Sequence, residues 1–326
     1  MFLQSEAFAM PNRVFLTFDL EDFINNRSIS TLYLALKLLE KSNIRALFFI
    51  TGHMAERLSS YPKIIDLLDM HEIGFHSTSH SVRPTIFEYC DVEKCEDAFS
   101  NTIERETAHI NPLSGKIEGK GGIYALRDLF PSKDVCAYRA PGYSCPPPHL
   151  RAMASLGIKY DFSMSLSRIP VWHEGTTFFP LPVFLDCETA LLGSESTFLK
   201  WAIFLRSVFM REVTVLNFHL DRFVNKDWWD SIFHKGNPAK LSCVSEREDR
   251  ETRRMFMMTD LLLKMVSRLE KLRVIDTSPI PYKAEIQLDV NKVNIEETIN
   301  KYAYWPRMFF GYSPKYAASH FSMFLT

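Results

Sequence analysis

Four apolar, β-rich runs in this chain each lead into a side chain suited to acid–base or ligand chemistry. Residues 13–19 (RVFLTFD) close on Asp19, and 72–75 (EIGF) run into His76. Residues 135–139 close on Arg139, and 213–218 (VTVLNF) run into His219. A fifth run, 45–51 (RALFFIT), reads as another buried strand, and 274–275 as a short final one. Between them lie stretches with helical character. Residues 28–41 space Leu32, Ala35, Leu36 and Leu39 on one face, and 62–71 open on a proline. Residues 88–107, 149–156, 196–210 and 246–272 also read as helices. Residues 112–122 read as loop, and PGYSCPPP as a turn rich in breakers. Strands alternating with helices predict a parallel sheet in an α/β layout. In barrels of this class the carboxyl ends of the strands gather on one face, so four polar strand ends suggest one site.

Composition narrows the partners. The chain has 326 residues, 38 basic and 39 acidic, for a formal net charge of −1. That balance argues against sequence-independent nucleic-acid binding, which needs a basic surface. The N-terminus lacks a basic region followed by a long apolar core, so an export signal is not expected and the predicted location is cytoplasmic. Residues 198–210 (FLKWAIFLRSVFM) are too short and too charged to span a bilayer. They suit a core helix, with the substrate cleft or a lipid surface as alternatives. The six cysteines form no CxxC pair and read as reduced structural thiols. Residues 302–326 hold nine aromatics, two methionines, two basic residues and no acid. Such a tail suits packing over a barrel, closing a dimer, or peripheral contact with the inner face of a membrane.

The chemistry-bearing residues are specific in type. His76 and His80 in HSTSH stand four apart, a spacing that on a helical turn points both imidazoles at one metal. Asp19, Glu21 and Asp22 form an acidic cluster after a buried strand, where ionised acids need a partner or a metal. Asp22 also fits as the cap of the following turn. Arg139 before Ala-Pro-Gly-Tyr suits a cation that holds a carboxylate ionised, and the turn offers backbone N–H groups to a developing oxyanion. Taken alone, His219 after an apolar strand reads more readily as a satisfied core histidine than as a functional one.

In their order, TFDLED, HEIGFHSTSH, YRAPGYS, LGIKYDFS and VLNFH resemble the polysaccharide deacetylases of carbohydrate esterase family four, the NodB homology domain. The likeness spans residues 13–280 and leaves 281–326 as an aromatic-rich C-terminal extension. It implies an α/β fold of the distorted (β/α) barrel type and a divalent metal, Zn2+ first, with Co2+, Ni2+ or Fe2+ as alternatives. It implies Asp19 as catalytic base, His76 and His80 as metal ligands, and Arg139 as the residue orienting the base. Tyr143 falls in the oxyanion turn, His219 matches the catalytic acid, and Asp161 resembles an acid that contacts that histidine. Two departures stand out. Leu20 replaces the usual second aspartate, so the carboxylate ligand becomes Glu21 or Asp22, with Asp-x-Asp spacing in a subgroup favouring Glu21. Asn217 replaces a leucine that lines the acyl pocket. The motif variants resemble the branch associated with exopolysaccharide and O-antigen assembly. The implied substrate is an N-acetylated sugar, lipid-linked or nucleotide-linked. The alternatives are a same-fold C–N hydrolase acting on a small non-sugar amide, cyclic imide or formamide, and a non-catalytic glycan-binding relative.

Overall fold

The computed structural model describes residues 12–164, 166–184, 194–278 and 280–324. Its strands are β1 (Asn12–Leu20), β2 (Leu47–Ile50), β3 (Glu72–Phe75), β4 (Ala108–Ile110), β5 (Ile117–Lys120) and β6 (Ala137–Tyr138). There follow β7 (Tyr160–Asp161), β8 (Val171–His173), β9 (Thr176–Phe178), β10 (Val183–Phe184), β11 (Val213–His219) and β12 (Ile275–Asp276). The main sheet runs β10-β11-β1-β2-β3-β6-β7-β9-β8, with β12 beside the start of β1. Every pairing in it is parallel except the β8–β9 hairpin.

The sheet curls strongly. Phe15 on β1 meets Phe162, just past β7, at 5.6 Å between ring centroids. Those strands lie four places apart, which on a flat sheet is about 19 Å. The concave side is filled by Phe15, Leu47, Phe49, Phe162, Phe179, Val213 and Val215. The alternate residues of the same strands, among them Leu16, Phe18, Phe48, Ile50, Ile73, Phe75, Leu216 and Phe218, face the helices. This two-faced burial explains why the strands read as continuous apolar runs. The class is the expected α/β, a distorted and open barrel whose described sheet ends at β10 and β8.

Some local expectations change. The helical stretch 88–107 is two helices, Ile86–Tyr89 and Cys95–Glu106. The expected loop 112–122 contains β5, paired antiparallel with β4. Strands β7, β8 and β9 are two or three residues long, too short to leave a periodic signal. Cys90, Cys95, Cys136 and Cys145 are buried free thiols and Cys243 is an exposed one, while Cys187 lies outside the described residues.

Two apolar segments are placed as well. Helix Ser194–Met210 turns Phe204 and Val208 into the core and leaves Phe209 and Met210 exposed. No helix among the described residues is long and apolar enough to cross a membrane. The C-terminal extension forms helices Ile295–Phe310 and Ala317–Phe324. Ser144 Oγ donates to the Tyr302 carbonyl at 2.8 Å, and Tyr312 Oη to Asp91 at 2.7 Å. Asp91 also accepts the N–H groups of Lys315 and Tyr316, which ties the extension to the barrel face.

Candidate active site and metal centre

Register builds the first half of the site. β1 and β11 run parallel with Thr17 opposite Asn217 and Asp19 opposite His219. Strand alternation turns all four side chains to the concave face, above the apolar interior. Arg139, just past β6, reaches the same point from across the curl. Its Nη1 donates to Asp19 Oδ1 at 2.7 Å and to Asn217 Oδ1 at 2.6 Å, and its Nη2 to Thr17 Oγ1 at 2.9 Å. The guanidinium lies 4.2 Å from the Phe49 ring centroid. Asn217 Nδ2 donates to Asp19 Oδ2 at 2.8 Å and to Tyr143 Oη at 3.0 Å. His219 Nε2 stands 3.4 Å from Asp19 Oδ2, its ring edge-on to Trp228. Burial opposes ionisation of Asp19, but the positive charge of Arg139, helped by His76 and His219, outweighs it. The carboxyl is held below its ordinary range. Breaking such a buried pair by removing one partner costs about 3–5 kcal/mol.

Loops build the second half. One oxygen of Glu21 lies 3.1 Å from His76 Nε2 and 2.8 Å from His80 Nε2. Ligand atoms of the three buried residues all fall within 4.8 Å of one another. The other Glu21 oxygen accepts from Trp229 Nε1 at 2.9 Å. Each imidazole is fixed through its far nitrogen. His76 Nδ1 donates to the Arg139 carbonyl at 2.7 Å, and His80 Nδ1 to Ser81 Oγ at 2.7 Å. Ser81 Oγ donates in turn to Asp230 at 2.5 Å. Both Nδ1 atoms therefore carry a proton, and Nε2 is the ring nitrogen that each histidine turns to Glu21. Two imidazoles and a carboxylate with the outer nitrogens tied down form a donor set that fits a divalent transition metal. Burial works against an ionised Glu21, yet His80 and the hydrogen bonds from both histidines prevail and hold it well below its ordinary range.

Five expectations need correction. Asp22 is not in the donor set. Its Oδ1 accepts from the N–H groups of Ile24 and Asn25, and its Oδ2 from Ser28 Oγ and Asn225 Nδ2, so it organises the turn into helix Asn26–Ser42. Asp161 makes no contact with His219. It lies in register with Tyr138, on the helix-facing side of the sheet, and accepts from Ser163 and from the Met164 N–H. Burial raises its pKa to about 6. Through Ser163 Oγ, which accepts the Ala140 N–H at 2.6 Å, it props the turn that follows Arg139. The N–H of Tyr143 closes that turn onto the Ala140 carbonyl, while Ala140, Gly142 and Tyr143 all line the cavity. HSTSH, finally, is not a helical turn. Ser77 and His80 adopt positive φ, at 64° and 50°, and this irregular turn brings the imidazoles together. Asn217 likewise does not line the cavity but belongs to the Asp19–Arg139 network, and Leu216 faces the helices.

The two halves share a cavity of about 350 Å3. Asp19, Glu21, His76, His80, Arg139 and His219 line its floor. Its walls add residues that the sequence reading missed: Trp228, Asp230 and His234 from the segment after β11, and Tyr304, Trp305 and Phe309 from the C-terminal helix. The run KDWWDSIFH, two tryptophans beside an acid and a histidine, was the available signal for the first group.

Fold and site together define an α/β barrel with a buried cluster of two histidines and one carboxylate at its strand ends. Residues 9–122, the segment bearing Asp19, Glu21, His76 and His80, match the family model for polysaccharide deacetylase. No curated protein matches the chain significantly. Among solved structures, a family 4 carbohydrate esterase from Streptomyces lividans is similar at 12% identity and a TM-score of 0.42, over 83% of this chain and 94% of that one. The catalytic domain of a peptidoglycan N-acetylglucosamine deacetylase from Eubacterium rectale is similar at 13% identity and 0.39, over 87% and 94%. A Bordetella bronchiseptica protein described as a polysaccharide deacetylase involved in O-antigen biosynthesis is similar at 18% identity and 0.39, over 78% and 91%. At such identities and TM-scores the chemistry has to be read from this chain's own residues.

Proposed function

We propose that this protein is a metal-dependent hydrolase that removes an N-acetyl group from a sugar used in bacterial surface-polysaccharide assembly. The sugar is lipid-linked or nucleotide-linked and met in the cytoplasm. One observation carries the reading: two imidazole nitrogens and one Glu21 oxygen converge beside an aspartate held ionised by Arg139, in a single cavity. Glu21, His76 and His80 would hold the metal. When bound, a divalent ion, Zn2+ first among the candidates, supplies Lewis acidity toward an amide oxygen and a water. Asp19, ionised and fixed by Arg139 and Asn217, takes the proton of the attacking water. His219 returns a proton to the leaving amine nitrogen, which is a poor leaving group without one. The turn bearing Gly142 and Tyr143, which lines the cavity, would offer a backbone N–H to the developing oxyanion.

The reading is tested by acetate release from N-acetyl sugars by the full-length protein, with bound metal measured in parallel. Release that needs both Asp19 and bound metal is the expected result. Turnover only of small amides or cyclic imides would move the protein to another substrate class. The absence of any bound divalent metal, with no rescue by zinc or cobalt, would make it a non-catalytic relative. A polar Asn217 in the acyl pocket would favour the small-amide alternative, but Asn217 is hydrogen-bonded to Asp19 and does not line the cavity.

A further inference from the structure

We infer that helix Ile295–Phe310 is the specificity element of this site. It closes one side of the strand-end cleft, so that the cavity admits a single free or terminal N-acyl amino-sugar unit and refuses the interior residues of a polymer. The inference rests on the deacetylase reading above and names its substrate class.

The first support is size. A cavity of about 350 Å3 stands at the small end of the range for small-molecule sites, roughly 300–1,000 Å3. An interior polymer residue needs open cleft on both sides, because its neighbours leave in two directions. Here one direction is blocked. A Cβ built on Gly142 would lie 2.1 Å from the Trp305 ring, so the helix sits directly on the turn after Arg139. The same indole stands edge-on to His80 with centroids 5.9 Å apart, and behind it Phe87 and Phe310 fill the space.

The second support is the surface left uncovered. Tyr304 is 61% exposed and Phe309 37% exposed, yet both line the cavity. Trp228 lines it from another segment, edge-on to His219. A pyranose ring carries an apolar C–H face and a hydroxyl rim. Rigid aromatic rings around an ionised floor suit the apolar face, while the floor engages the acylamino group. The third support is anchorage. The hydrogen bonds of Ser144 to the Tyr302 carbonyl and of Asp91 to Tyr312, Lys315 and Tyr316 hold the middle of this helix and the segment that follows it to the barrel.

The test uses the full-length protein and three probes: the methyl glycosides of N-acetylglucosamine and N-acetylgalactosamine, and the β-1,4-linked tetramer of N-acetylglucosamine. Binding is read by tryptophan fluorescence, and the position of acetyl loss in the tetramer by fragment mass spectrometry. At least one methyl glycoside is expected to bind, the tetramer to bind no more tightly, and acetyl to leave only a terminal unit. The double variant Tyr304→Ala/Phe309→Ala, at two exposed positions, is expected to weaken monosaccharide binding roughly tenfold. Tighter tetramer binding, interior deacetylation by the unaltered protein, no change in the double variant, or no binding of any probe would each overturn the inference. Interior deacetylation would overturn it while leaving the hydrolase reading standing. Monosaccharide-selective binding with no acetate release would do the reverse.

Discussion

The two halves of the site are built by different means. Thr17, Asp19, Asn217 and His219 are placed by strand register, two facing pairs on adjacent parallel strands. Glu21, His76 and His80 are placed by loops, with left-handed residues in HSTSH and support from Trp229, Ser81 and Asp230. A register-built half inherits the rigidity of the sheet. A loop-built half depends on each supporting hydrogen bond, and its geometry is exposed to changes made outside it.

The largest expected effects separate the halves. His76→Ala should abolish metal retention in purified protein, measured by elemental analysis. Asp19→Asn should keep the metal and lose turnover by roughly 10²–10⁴-fold. Near-normal turnover in Asp19→Asn would end the assignment of the base. Next comes Asp230→Asn, which touches the loop half from outside. Because Asp230 holds Ser81 and through it His80, metal affinity should fall about 10–100-fold, read by competition with a chelator. Unchanged affinity would mean that the loop half needs no outer support.

Asn217→Leu acts on the register half. Arg139 loses an acceptor and Asp19 a donor, so stability to urea should drop by about 1–3 kcal/mol, with metal content unaltered. Metal loss in this variant would show the halves to be one unit. The smallest effect belongs to Asp22→Asn. It weakens a turn before a helix, for about 1 kcal/mol of stability, and should leave metal content intact, whereas Glu21→Gln should lower it.

What could be read in the sequence follows the same division. Asp19, His76, Arg139 and His219 were legible because each follows an apolar run, and strand ends converge in this fold class. Choosing Glu21 over Asp22 was open, since adjacent acids after a strand differ only in how the chain bends, and Asp22 is consumed by its own turn. Asp161 was misplaced because a two-residue strand gives no pattern from which to assign its face, and register with Tyr138 sets it on the outer one. Trp229 and Asp230 at least stand in the suggestive run KDWWDSIFH, but the partners of these two and of Trp305 were out of reach for another reason. They enter the site through contacts between segments far apart in sequence, which no local periodicity encodes.

Trp305 over Gly142 also has a consequence in time. Glu21 and Trp305 stand near opposite ends of a chain of 326 residues. At a synthesis rate of roughly 5–20 residues per second, the ligand-bearing strands leave the ribosome tens of seconds before the helix that covers them. A metal site formed by Glu21, His76 and His80 would stay uncovered until the helix bearing Trp305 has been made and docked. The order of residues along the polypeptide therefore makes the residues of the floor before the wall that covers them.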